Sequence, residues 1–167
     1  MPHLKPNFNR MLQIIDDVFA TRNDPGQIQV SPQQLKKLQQ IHPATLTEYA
    51  DENGPLIWVL VIPTTAEVMN DFLAHKITEK ELLDRTQPGR SYSCIYLCSA
   101  TALPEVRGRG ETKKLCIGAI QAICRDHPIK TLFVWPFTKE GFHLAEAIAV
   151  ACQLDLKIMD DPPEKKL

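Results

Sequence analysis

Residues 55 to 63 read PLIWVLVIP, an unbroken apolar run closed at each end by proline. No polar residue alternates with the apolar ones, so a strand built from it must be covered on both faces. The run is strand-sized, and no apolar stretch in the chain approaches the length needed to cross a bilayer. A sheet holding such a strand has to carry a layer on each side. The remaining sequence must supply both layers.

Helical periodicity supplies them. Asn7 is placed to cap a helix whose apolar positions Phe8, Met11, Leu12, Ile15 and Phe19 share one face. After the loop RNDPGQ, Ser31 is the expected N-cap of a second helix, with Pro32 at its first position and Gln34 completing a capping box. Leu35, Leu38 and Ile41 line its inner face. The apolar run then forms the second arm of a hairpin that turns at Glu52-Asn53-Gly54 and whose first arm is half-exposed. Pro63 is expected to end it. Thr64 with Glu67, and Thr78 with Glu81, make two further capping boxes. They open helices around Val68, Met69, Phe72 and Leu73, and around Leu82 and Leu83.

The second half alternates strands and helices. YSCIYLCSA is a strand, and a helix runs from about Gly110 to Arg125 with Leu115, Cys116, Ala119, Ile120, Ala122 and Ile123 facing inward. His127-Pro128 closes that helix, because a residue before proline is pushed out of the helical region. IKTLFVWPF is the next strand, Gly141 to Gln153 the next helix, and LDLKIMD a final edge strand with Leu154, Leu156 and Ile158 alternating. Residues 160–167 are polar and Pro-rich and are expected to fray. The order is α-α-β-β-α-α-β-α-β-α-β, an α/β (α+β) fold with a central mixed sheet, in one domain over residues 1–167.

Bulk properties narrow the functional classes. A net charge of −1 argues against a surface built wholly for nucleic acid or for acidic membranes. The start MPHLKPNFNR has no apolar signal-peptide core, so a soluble, cytoplasmic protein is expected. Five cysteines show no CxxC spacing, and most sit beside Ile, Leu and Ala as small apolar residues would. The histidines are scattered, and no structural metal is expected.

The stretch ALPEVRGRGETKKL, residues 102 to 115, carries the chemistry. It lies between a strand and a helix. The first N–H groups of a helix have no partner within it, and the macrodipole adds partial positive charge there. Gly108 and Gly110 allow a sharp turn and a close ligand approach. Arg107, Arg109, Lys113 and Lys114 outweigh Glu105 and Glu111 in charge. Pyrophosphate suits such a turn. The spacing is neither that of a nucleotide P-loop nor that of the G-x-G-x-x-G dinucleotide fingerprint, since Lys113 stands where the third glycine would be.

PEVRGRGETKKL resembles the acyl-CoA signature of the GNAT acyltransferase superfamily, R/Q-x-x-G-x-G/A. It matches as Arg107-x-x-Gly110-x-Thr112, with Thr112 in place of the usual Gly or Ala. Pro104-Glu105 before it and Leu115 after it are also similar to the family pattern. The resemblance implies a GNAT-like, mostly antiparallel mixed sheet with helices on both faces. Residues 64–91 would then be a two-helix insertion before the acyl-CoA-binding strand, roofing the acceptor pocket. It further implies that the backbone at Ala102 and Leu103 holds the pantetheine arm. Arg107, Gly108, Arg109, Gly110, Thr112 and Lys113 would hold the pyrophosphate of acetyl-CoA or another acyl-CoA. A backbone N–H nearby would polarise the thioester carbonyl.

The reaction implied is attack by a small-molecule or peptide amine on the thioester, in a monomer or homodimer. It needs a proton acceptor and a donor for the leaving thiolate. The tyrosine that family members often carry on the helix after the last central strand is missing here, the last tyrosine being Tyr96. The candidates left are His143, Thr138 and Ser99, with Tyr96 facing either the acyl site or the core. Glu67, Asp71 and Glu79 on the inserted helices are solvated charges or contacts to the amine. A non-catalytic acyl-CoA or CoA-binding regulatory module is the alternative. A nucleic-acid arm is the weakest reading, because no aromatics interleave the basic residues.

Overall fold

The computed structural model of the chain describes residues 5–22, 31–136 and 138–160. Eleven main elements appear in the expected order: α1 (Pro6–Arg22), α2 (Pro32–Ile41), β1 (Leu46–Asp51), β2 (Gly54–Thr64), α3 (Ala66–Leu73), α4 (Glu79–Arg85), β3 (Cys94–Ala102), α5 (Glu111–Asp126), β4 (Thr131–Val134), α6 (Lys139–Cys152) and β5 (Asp155–Ile158). A short 3₁₀ turn, Pro104–Val106, follows β3. The five strands lie side by side in sequence order. β1–β2 and β2–β3 pair antiparallel, whereas β3–β4 and β4–β5 pair parallel. The antiparallel ladders are the longer, yet the pairings divide evenly.

β2 is covered on both faces, as its composition demands. Ten of its eleven residues are buried, and only Trp58 is half-exposed. On one face Ile57, Val59, Val61, Ile95, Leu97, Leu132 and Val134 meet Met11 of α1, Cys116, Ala119, Ile120 and Ile123 of α5, and Ala145, Ile148 and Ala149 of α6. On the other, Leu60, Ile62, Cys94, Tyr96 and Phe133 meet Leu38 and Ile41 of α2, Val68, Met69 and Phe72 of α3, and Leu82 and Leu83 of α4. Each fully buried large apolar side chain stabilises by roughly 1.5–3 kcal/mol. The second face also stacks rings, with centroids 4.9 Å apart for Phe72–Tyr96 and 5.1 Å for Tyr96–Phe133.

The start of α1 differs from expectation. The helix begins at Pro6, so Asn7 lies inside it rather than capping it. Asn7 N–H donates to Asn53 O at 3.0 Å across to the hairpin turn, and its Oδ1 accepts from Arg10. Met11 is buried and Leu12 is 40% exposed, so the inward face rotates toward Met11, Ile14 and Ile15. Phe19 lies outside the residues whose side chains are described, as do the loop at 23–30 and the tail at 161–167.

At Pro63 and Thr64 the sheet claims residues that look like chain punctuation. Pro63 does not end β2, which continues to Thr64. Thr64 is buried in that strand, its hydroxyl 2.7 Å from that of Thr86, and Thr65 caps α3 instead. Ser31 accepts from Gln34 N–H at 3.2 Å, but Gln34 Oε1 has no partner among the described residues, leaving that capping box half-made. The Thr78–Glu81 box is complete in both directions. The hairpin turn uses Glu52 and Asn53, with Gly54, at φ +113°, already paired to Asp51.

A buried histidine ties the two layers at the far end of the sheet. His42 closes α2, and its Nδ1 accepts from Ala44 N–H at 3.0 Å. That acceptance leaves the proton on Nε2, which donates to Asp126 at the end of α5, 2.7 Å away. Among the described residues no helix is long and apolar enough to cross a membrane.

Candidate functional site

β3 changes character halfway along. From Cys94 to Leu97 it pairs with β2 on one side and β4 on the other, and all four residues are buried. β4 ends at Val134, opposite Leu97, so from Cys98 onward β3 is paired with β2 alone. Backbone groups alternate sides along a strand. Leu103 N–H donates to Leu56 O at 2.9 Å, which turns the backbone of Thr101 toward β2 and that of Ala102 and Ala100 toward the side β4 has vacated. Arg107 confirms this direction, its Nε donating to Ala102 O at 3.0 Å.

A β-bulge marks the change. Leu60 pairs with Ser99 and Val61 with Leu97, so Cys98 is an extra residue on β3. Bulges re-aim neighbouring side chains and break the ladder locally. After this one, Ala100 and Ala102 both turn toward the α5 side of the sheet, where their small side chains pack on its core. Ser99 is exposed. Nothing in the run of Cys, Ser, Ala and Thr announces this bulge, because these residues fit a regular strand equally well.

The chain leaves β3 through the 3₁₀ turn and two glycines in the left-handed region, Gly108 at φ +79° and Gly110 at φ +77°. A side chain at either would be strained by φ alone, as open space surrounds both. Gly110 is the N-cap of α5 and offers no side chain to its amides. By contrast Ser31, Thr65, Thr78 and Thr138 cap α2, α3, α4 and α6 through their hydroxyls. Lys114 is the first residue of α5 to bond back into the turn, to Gly110 O at 3.1 Å. The amides of Glu111, Thr112 and Lys113 precede that first bond. Arg109 and Lys113 form no hydrogen bond or ion pair with described residues, while Lys114 sits 3.7 Å from Glu111.

One contact fixes this turn to the far N-terminal helix. Arg10 Nη1 and Nη2 each donate to a carboxylate oxygen of Glu105 at 2.7 Å, a two-pronged pair. The Arg10 hydrogen bonds hold the Glu105 carboxyl well below its usual range, at about 2, helped by a hydrogen bond from its own backbone N–H and, least, by the charge of Arg109. The sequence shows Glu105 as part of the glycine-rich stretch but gives no sign of its partner, 95 residues away.

The other candidates are dispersed. Thr138 Oγ1 accepts from Gly141 N–H at 3.0 Å as the cap of α6. His143 is exposed, 3.3 Å from Glu146 one turn further on. His143, Glu146 and Val150 of α6 line a shallow open groove with Lys113 of α5, so His143 and Lys113 come together. Ser99 is not among the residues of that groove. Tyr96 is core, its hydroxyl donating to the buried carboxylate of Glu79. Glu67 and Asp71 pair with Arg85 at 3.7 and 2.8 Å, so the acidic side chains of α3 are engaged with α4. Leu103 has its N–H in the sheet and its side chain buried, which leaves Ala100 and Ala102 as the backbone facing the gap. No family model, curated protein or solved structure matches this chain.

Proposed function

We propose that the chain binds an acyl-CoA, acetyl-CoA in the first instance, and transfers its acyl group to an amine as GNAT-like N-acyltransferases do. The carrying observation is a juxtaposition: the half of β3 left unpaired beside β4 leads, through two left-handed glycines, into a helix whose first amides lack a side-chain cap. An extended amide-bearing arm needs strand-like backbone partners, and a pyrophosphate needs converging N–H groups and positive charge. Pantetheine joined to pyrophosphate has both parts in that order. In this reading Ala100 and Ala102 bond the arm, the amides of residues 111–113 take the phosphates, and Arg109 and Lys113 add charge. A backbone N–H near the acyl end of the arm would polarise the thioester carbonyl, an oxyanion role.

A second reading has its own support. Thr138 is engaged as a cap, His143 faces solvent, and Tyr96 is sealed in the core against Glu79. With Thr138 and Tyr96 so engaged, a module that holds CoA without turnover fits the same cradle. Thermal unfolding with acetyl-CoA tests both readings. At 100 times its dissociation constant a ligand adds roughly 2.7 kcal/mol of stability, and Gly110→Glu should abolish that gain. Release of free thiol in the presence of a panel of amines then separates enzyme from module. Wild type that gains no stability from acetyl-CoA refutes both.

A further inference from the structure

We propose that Arg10 is a positioning residue for the anion site at the start of α5, acting by holding the Glu105 carboxylate away from Arg109. The proposal rests on the acyl-CoA reading for the identity of the anion, but its electrostatic core does not. Glu105 sits in the 3₁₀ turn four residues before Arg109, on the loop that ends at the uncapped N-terminus of α5. A carboxylate there opposes any phosphate by charge and competes with it for the nearest guanidinium. Arg10 counters both effects: its two 2.7 Å hydrogen bonds occupy both carboxylate oxygens, and Arg109 acts on them only as a weaker charge. Arg10 is itself oriented by Asn7 Oδ1 at 3.1 Å, and Asn7 N–H is bonded to the hairpin turn at Asn53. The clamp thus has a fixed base. Arg109, with no bonded partner among the described residues, stays available.

The charge arithmetic agrees with the geometry. Arg107, Arg109, Lys113 and Lys114 face Glu105 and Glu111 along the same stretch. With Glu105 neutralised by Arg10, Glu111 is the one remaining acid of the stretch, and it sits near Lys114. Without Arg10 the net positive charge presented to an anion falls by one, and Glu105 is free to turn to Arg109.

The test is a set of variants titrated with coenzyme A and with inorganic pyrophosphate. Arg10→Ala should weaken both about fivefold at low salt, with the loss shrinking as salt rises above roughly 0.1 M. Adding Glu105→Gln to Arg10→Ala should restore affinity, since it removes the charge that Arg10 was holding. Arg10→Lys should keep most of the affinity. A purely structural role predicts the reverse order, with the double variant no better than Arg10→Ala, and that result overturns the proposal. If wild type binds neither ligand, the acyl-CoA reading fails separately, and NMR titration of the Glu105 carboxyl still decides the inference. In Arg10→Ala its midpoint should stay depressed, by the Glu105 backbone N–H and by Arg109, and should rise further when Arg109→Ala is added. A midpoint in Arg10→Ala that does not move when Arg109→Ala is added overturns the proposal.

Discussion

The two halves of β3 belong to one strand yet answer to different demands. Cys94 to Leu97 is sandwiched between β2 and β4 and carries large apolar side chains to both layers. Ser99 to Ala102 keeps only its β2 partner and carries small side chains that leave the backbone accessible. The inner half spends its backbone hydrogen bonds on the sheet, and the outer half holds some in reserve. The difference is created by where β4 stops and by one inserted residue, not by a change of secondary structure.

Substitutions on either side of the bulge test this contrast. Ile95, fully buried in the inner half, should lose about 2–5 kcal/mol of stability as Ile95→Ala, read from the denaturant midpoint. Tyr96→Phe removes the hydroxyl that donates to buried Glu79 and should cost about 1–3 kcal/mol. Gly110→Ala meets no neighbouring atom, so its loss of about 1–2 kcal/mol should come from the left-handed backbone alone. Ser99→Ala in the exposed outer half should change stability by less than about 0.5 kcal/mol. A Ser99 effect as large as that of Ile95 would mean that the outer half is structural after all.

The smallest expected effect is with pH. The folded-state pKa of Glu105 is lowered from 4.5 to about 2, so its contribution is present above pH 4.5 and is lost as pH falls toward 2. The pair is exposed to solvent, which limits the effect to local loosening of the turn. Amide protection at residues 106–110, corrected for the intrinsic pH dependence of exchange, should fall across that interval in wild type and stay flat in Glu105→Gln.

Much of the fold was legible because its signals are local. Ser31, Thr78, Gly110 and His127-Pro128 mark helix ends within a few residues, and the apolar run at 55–63 demands two layers wherever it lies. Threonine was harder, since Thr64 and Thr65 are adjacent and chemically equivalent; only the pairing of Thr64 with Cys94 decides that the cap is Thr65. The site was legible in its turn and illegible in its frame. The two glycines predict a left-handed path, but the end of β4, the extra residue at Cys98 and the reach of Arg10 to Glu105 are set by contacts between distant segments.

The outer strands of the sheet bear on how the molecule behaves when crowded. β1 and β5 form its two margins, and any strand margin is a template on which another chain can polymerise. β1 has its register broken between Tyr49 and Ala50 and exposes Glu48 and Asp51. β5 is four residues long and exposes Asp155 and Lys157 in alternation. A neighbouring copy would have to bury those charges to extend either margin, which sets a cost on edge-to-edge polymerisation.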